Sequence, residues 1–125
     1  WATKVTRDVE LLGSQTLDDL HHAIQAAFGW EDDHLYLFRL ARDQHDRSSD
    51  YLCGECDEFD EGIGFTDATL ASLVLHPRRR FWYLYDFGDE ALLEVEIVWV
   101  GPRAPRLRYP RLVGRRGKVP DRRRW

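Results

Sequence analysis

The chain has 125 residues, a length for one domain rather than two. Hydrophobic residues at 43% and aromatics at 13% exclude a disordered protein, and no apolar run approaches the ~20 residues of a membrane-spanning helix. The net charge of −4 conceals a split: residues 1–77 carry a net of −11, residues 78–125 a net of +7, and within 102–125 ten basic residues face one acid, Asp121. Such asymmetry points to an interaction tail, or to an acidic and a basic face that meet. Two cysteines, Cys53 and Cys56, are too few for a disulfide framework, and no signal-peptide pattern opens the chain. A reducing, cytoplasmic setting without a membrane partner is therefore expected. Met is absent even at position 1, so a few starting residues are expected to precede Trp1.

Alternation over residues 3–11 predicts a strand, with Thr3, Val5, Arg7, Val9 and Leu11 on one face. Arg7 interrupts that face, which calls for an edge position or a partnered guanidinium. After the break at Gly13-Ser14-Gln15, Thr16-Leu-Asp-Asp19 has capping-box spacing, with Asp19 in the usual place of Glu. A helix is predicted over 17–28, with Leu17, Leu20, Ile24, Ala27 and Phe28 as its apolar stripe and Gly29 as its C-terminal cap. His34 to Leu40 reads as a strand apolar on both faces, hence central. Residues 41–50 form a polar loop, 51–65 hold the cysteines, an acidic run and a possible short strand, and Thr66 or Asp67 caps a short helix through Val74. Phe81–Phe87 and Leu92–Val100 flank the turn Gly88-Asp89-Glu90-Ala91 as a hairpin, with Leu93, Val95, Ile97 and Trp99 inward and Glu94 and Glu96 outward. Four prolines and ten basic residues after Gly101 argue against a regular C-terminal element.

This order predicts an α+β domain over 1–101: a mostly antiparallel sheet, one main helix on a face, a second short helix, and a β-grasp-like arrangement as one candidate topology. A basic Pro/Arg-rich tail, extended or docked on the domain, occupies 102–125.

Candidate chemistry is sparse. Asp86-Phe87-Gly88 matches the kinase metal-binding tripeptide, but no glycine-rich phosphate loop or His-Arg-Asp loop accompanies it. Its glycine serves the hairpin turn instead. Cys53-Gly-Glu-Cys56 has the spacing of half a zinc site, without a second ligand pair. Its acidic neighbours oppose an activated thiolate. His21 borders the buried stripe of the helix, where a hydrogen-bonded structural role is the ordinary reading. His21, His34, Asp86 and Asp89 form a candidate functional cluster if the helix C-terminus lies near the hairpin turn; imidazole and carboxylate together suit a divalent metal or acid–base work. No cofactor is otherwise predicted, and no residue is assigned a catalytic role. The basic positions Arg78, Arg79, Arg80, Arg103, Arg106, Arg108, Arg111, Arg115, Arg116 and Lys118 are candidates for nucleic-acid or protein-partner binding. With Tyr109 and Trp125 the only aromatics among the tail's cations, a base-stacking surface is not indicated.

Several segments together carry a family resemblance: residues 16–30 (Thr-Leu-Asp-Asp-Leu-His-His-Ala-Ile-Gln-Ala-Ala-Phe-Gly-Trp), 33–38 (Asp-His-Leu-Tyr-Leu-Phe), 83–89 (Tyr-Leu-Tyr-Asp-Phe-Gly-Asp) and, more weakly, 109–113 (Tyr-Pro-Arg-Leu-Val). In this order they resemble the plasmid pRiA4b ORF-3-like family, which includes transposon-passenger TnpR-like proteins. The resemblance spans about residues 5–120. It implies a compact α+β domain linked to plasmids or mobile elements in bacteria and archaea, with no activity attached. Leu20, His21, Trp30, His34, Leu35, Phe38, Tyr85, Phe87, Gly88 and Asp89 match its recurrent positions. Relatives carry a Trp and a His shortly after the Gly-Asp, where this chain has Ala91 and Leu93, and many carry a Cys-rich C-terminal segment that this chain lacks. These departures favour a non-enzymatic binding or accessory module over a metal-dependent, hydrolytic enzyme. An adaptor that docks a protein through the aromatic hairpin, Phe81 to Trp99, is the third expectation.

Overall fold

The computed structural model describes residues 5–31, 34–54, 62–85 and 91–119. The element order is β1 (Thr6–Glu10), α1 (Leu17–Phe28), β2 (Tyr36–Arg39), β3 (Asp50–Leu52), β4 (Gly64–Phe65), β5 (Arg80–Tyr85), β6 (Ala91–Glu96) and β7 (Arg111–Arg116), with short 3-10 turns at Arg47–Ser49 and Ala71–Leu73. The fold is α+β, with one main helix and mostly antiparallel pairing. The strands divide into a five-stranded sheet of order β4-β3-β2-β5-β6 and a two-stranded ribbon, β1-β7.

Helix α1 begins as its sequence dictates. The Asp19 N–H donates to Thr16 Oγ1 (3.1 Å) and Asp19 Oδ2 accepts from the Thr16 N–H (2.9 Å), a reciprocal cap that satisfies two donors the helix cannot. Gly29 ends it at φ 67°, a left-handed conformation in which a Cβ would be strained. The buried positions of α1 are Leu17, Leu20, His21, Ile24 and Gln25. They meet the inner face of the five-stranded sheet, where Tyr36, Phe38, Phe81, Tyr83 and Tyr85 supply most of the core.

Strand β2 is central, as its two apolar faces require. It pairs β3 on one side and β5 on the other, so that Tyr51, Phe38, Tyr83 and Leu93 form one cross-strand row. On the opposite face Arg39 is only 8% exposed, and its Nε and Nη2 donate to Asp50 Oδ1 (2.8 Å) and Oδ2 (3.0 Å). This bidentate bond, with the Asp50 charge behind it, raises the already high pKa of the Arg39 guanidinium.

Three expectations are corrected. The helix expected from Thr66 or Asp67 to Val74 is a single 3-10 turn over Ala71–Leu73. The preceding backbone is instead taken up by pairing: the Thr66 N–H donates to the Leu52 carbonyl (3.0 Å), the Thr66 carbonyl accepts from the Asp18 N–H (2.8 Å), and Thr16 bridges Thr69. The Thr66 hydroxyl donates to Asp18 (2.9 Å) rather than capping its own segment. Second, a regular C-terminal element does exist. β7 pairs antiparallel with β1 from Thr6↔Arg116 to Glu10↔Arg111, with a bulge after Asp8. The prolines at 102, 105 and 110 precede the strand and leave its ladder donors intact. Third, Trp99 does not face inward but is 62% exposed. β5 pairs β6 only as far as Arg80↔Glu96, so the chain outruns its neighbour just before Trp99.

Arg7 resolves as a partnered guanidinium. It donates to the carbonyls of Ala27 (3.2 Å), Arg116 (3.0 Å) and Gly117 (3.0 Å) and lies over the Phe28 ring, tying the ribbon to the last turn of α1. Among the described residues, no helix is long and apolar enough to cross a membrane.

Candidate functional site

Two places collect the predicted residues. The first lies beneath α1. His21 is fully buried, stacked parallel to the Tyr36 ring at 3.5 Å between centroids, with Nδ1 2.7 Å from the Tyr83 hydroxyl. Gln25, one turn further along the same helix face, donates from Nε2 to that hydroxyl at 2.8 Å. The Tyr83 hydroxyl is thus shared by two polar side chains of one helix face. Gln25 Oε1 is buried and finds no hydrogen-bond partner among the described residues. The Tyr36 hydroxyl lies 3.4 Å from Thr66, which links this polar core to the start of α1 through Asp18.

His34, exposed just before β2, approaches the same aromatic group from outside, with its ring edge-on to Tyr85 at 5.7 Å. Tyr85 stands 6.2 Å from the His21 ring, stacks at 5.8 Å on Trp30, and donates its hydroxyl proton to the Glu31 carbonyl. The two histidines thus flank one tyrosine at the end of α1. Asp86 and Asp89 lie outside the described residues, as does Cys56. Cys53 is fully buried in the core cluster. Among the described residues, no group of three or more His, Cys, Asp or Glu side chains is arranged to hold a metal ion.

The sequence reading missed Tyr83, Gln25 and Tyr36 as the partners of His21. The signal was present for Gln25: positions 21 and 25 are one turn apart, so a second polar side chain borders the same apolar stripe.

The second place is the β1–β7 ribbon. Arg111 pairs with Glu10 (2.9 Å), and Arg103 lies over the Tyr109 ring at 5.9 Å. Arg106, Arg108, Arg115, Arg116 and Lys118 are exposed and form no ion pair among the described residues. The ribbon's own Asp8 is turned against Gly114, where an added Cβ would meet its Oδ2 at 2.7 Å. The Arg78–Arg80 run belongs to the other sheet. Arg78 takes a left-handed φ of 76°, Arg79 donates to the Leu40 carbonyl (2.7 Å), and Arg80 stands 3.9 and 3.7 Å from Glu94 and Glu96. The cations therefore form two groups rather than one; Arg78 and Arg79 are exposed without a carboxylate partner among the described residues, and the larger such group is on and around β7.

An α+β unit of this kind, a five-stranded aromatic sheet under one helix with a two-stranded ribbon at its side, defines the class. The chain belongs to the plasmid pRiA4b ORF-3-like protein family, whose model matches residues 1–122. It is 37% identical over 99 residues to an uncharacterized protein of Sinorhizobium fredii, covering 73% of this chain and 46% of that one. It is similar to a crystal structure of a protein of unknown function from Methanosarcina mazei Go1, with a TM-score of 0.73 and 26% identity over 89% of this chain and 61% of that one. The chain thus spans less than two-thirds of each of these relatives.

Proposed function

We propose that this chain is a non-enzymatic binding module that holds a polyanion, nucleic acid being the class, on the cationic segment from Arg103 to Lys118. The observation that carries the reading is the state of Arg115, Arg116 and Lys118. They are exposed at the end of an ordered, paired strand, and no carboxylate among the described residues neutralises them. The segment pairs with β1 of the acidic half, yet among the described residues only Arg111 meets a carboxylate there, Glu10. Held on a ribbon anchored to α1 by Arg7, Arg115, Arg116 and Lys118 are arranged before any ligand arrives, which lowers the ordering cost of binding. Contacts of this kind go to phosphates and carry little sequence information. The plasmid that gives the family its name fits a mobile-element setting for such a module.

The test is fluorescence anisotropy with duplex DNA, single-stranded DNA and RNA at low and moderate salt. Binding that weakens with salt and drops in the Arg115→Gln/Arg116→Gln/Lys118→Gln variant supports the reading. No binding at low salt, or equal binding by the variant, removes it.

A further inference from the structure

We propose that the free edge of β6, with its continuation Val98–Trp99–Val100, is a self-association surface on which a second copy of this chain adds the same edge in antiparallel orientation, about a two-fold axis near Trp99. β6 ends the five-stranded sheet, and among the described residues only β5 pairs it. Ile97 still exchanges hydrogen bonds with the two residues that precede β5: its N–H donates to the Arg79 carbonyl (2.9 Å) and its carbonyl accepts from the Arg78 N–H (2.7 Å). Beyond it Val98, Trp99 and Val100 are 75%, 62% and 60% exposed and make no backbone hydrogen bond among the described residues.

Open edges in soluble proteins are ordinarily blunted by Lys, Pro or a bulge. Here Glu94 and Glu96 guard β6 itself, but beyond them three consecutive apolar side chains stand unguarded until Pro102. The indole of Trp99 folds back over the chain that follows it. It lies so close over Gly101 that an added Cβ would meet the ring at 2.3 Å. A large aromatic beside unused backbone donors and acceptors is the combination that strand addition uses: backbone bonds for affinity, a side-chain anchor for selectivity.

Charge order selects the occupant. Glu94 and Glu96 precede the apolar triplet, with side chains 44% and 40% exposed, and Arg80 reaches them only at 3.9 and 3.7 Å. Arg103 and Arg106 follow it, both exposed. Antiparallel pairing of two copies across Trp99 sets the acidic end of each against the basic end of the other. Parallel pairing would set like against like. The segment is therefore complementary to itself, the property a two-fold contact demands.

Sedimentation velocity over a concentration series, without nucleic acid, tests this independently of the polyanion reading. The wild-type chain is expected to move from a 14.8 kDa monomer to a species of twice that mass as concentration rises. Trp99→Glu should weaken dimerisation at least about thirtyfold, the scale of a hot-spot residue. Its circular dichroism and melting temperature should stay as in the wild type, because the side chain is exposed. Val98→Pro, which removes an N–H the monomer does not use, should do the same. Glu96→Arg alone should weaken the dimer, and adding Arg103→Glu should restore it. A wild-type monomer up to about millimolar concentration, where an association would count as very weak, overturns the proposal. So does a dimer that survives both Trp99→Glu and Val98→Pro, or a charge swap that gives no rescue.

Discussion

Replacing Asp50 by Ala would leave the Arg39 guanidinium buried without its counter-charge. In the intact protein Arg39 makes three hydrogen bonds: two to Asp50 at 2.8 and 3.0 Å and a third from Nη1 to the Gln44 carbonyl at 2.5 Å. The two side chains are 10% and 3% exposed, so solvent screening does little for the survivor. Breaking a buried pair from one side costs about 3–5 kcal/mol. Unfolding entropy of about 2.1 cal/mol/K per residue gives a chain of this length roughly 0.26 kcal/mol/K, so the melting temperature should fall by about 11–19 °C. The companion variant Arg39→Met/Asp50→Leu removes both charges, and water can reach the half-exposed Gln44 carbonyl in place of the guanidinium. It should recover most of the loss, since buried pairs replaced by apolar residues are commonly neutral or stabilised by about 1–4 kcal/mol. Urea and thermal unfolding followed by circular dichroism, arranged as a double-mutant cycle, measure both quantities. A loss below about 1 kcal/mol for Asp50→Ala, the range of an exposed pair, would refute the reasoning.

Three further outcomes follow from the geometry. Tyr83→Phe removes the hydroxyl shared by His21 and Gln25 and strands two buried polar groups at about 1–3 kcal/mol each; chemical denaturation reads the loss, and a neutral result would mean the network is not needed for the fold. Thr16→Ala deletes the capping box and should cost about 1 kcal/mol, read from the same denaturation curves. The Asp46 carboxyl is held below its ordinary value chiefly by the Ser48 side chain, with the Ser48 backbone N–H (2.9 Å) adding to it. Its contribution to stability is therefore full above the ordinary carboxylate value of about 3.9 and is lost as pH falls through the lowered value. Melting temperatures of wild type and Asp46→Ala should differ at neutral pH and converge in strong acid.

The local rules written into particular residues carried much of the fold. Thr16, Asp19 and Gly29 marked both ends of α1, and the largely apolar faces of residues 34–40 marked β2 as central. What the sequence hid were long-range pairings. Thr66 looks like a helix cap until its carbonyl is seen to accept from Asp18 and its hydroxyl to donate there. Residues 111–116 look irregular because prolines and arginines surround them, although the strand itself contains neither a proline nor a missing ladder donor. Trp99 continues a correct alternation past the point where β5 provides a surface to face. At the candidate site, His21 was read as bordering the buried stripe, but its hydroxyl partner comes from a strand 62 positions away. The basic residues were visible as composition; that β7 displays Arg115 and Arg116 while its Arg111 is paired with Glu10 and Arg79 is bonded to the Leu40 carbonyl needed the sheet pairing.

The central claim, a polyanion held by the β7 cations, is tested most directly by the salt dependence of duplex DNA binding. Observed binding constants for the wild type and for Arg115→Gln/Arg116→Gln/Lys118→Gln, plotted as log K against log salt, give two slopes. Each phosphate contact contributes about −0.9 to the slope, so losing three should make it shallower by about 2.7. Equal slopes would place the contacts elsewhere and contradict the account.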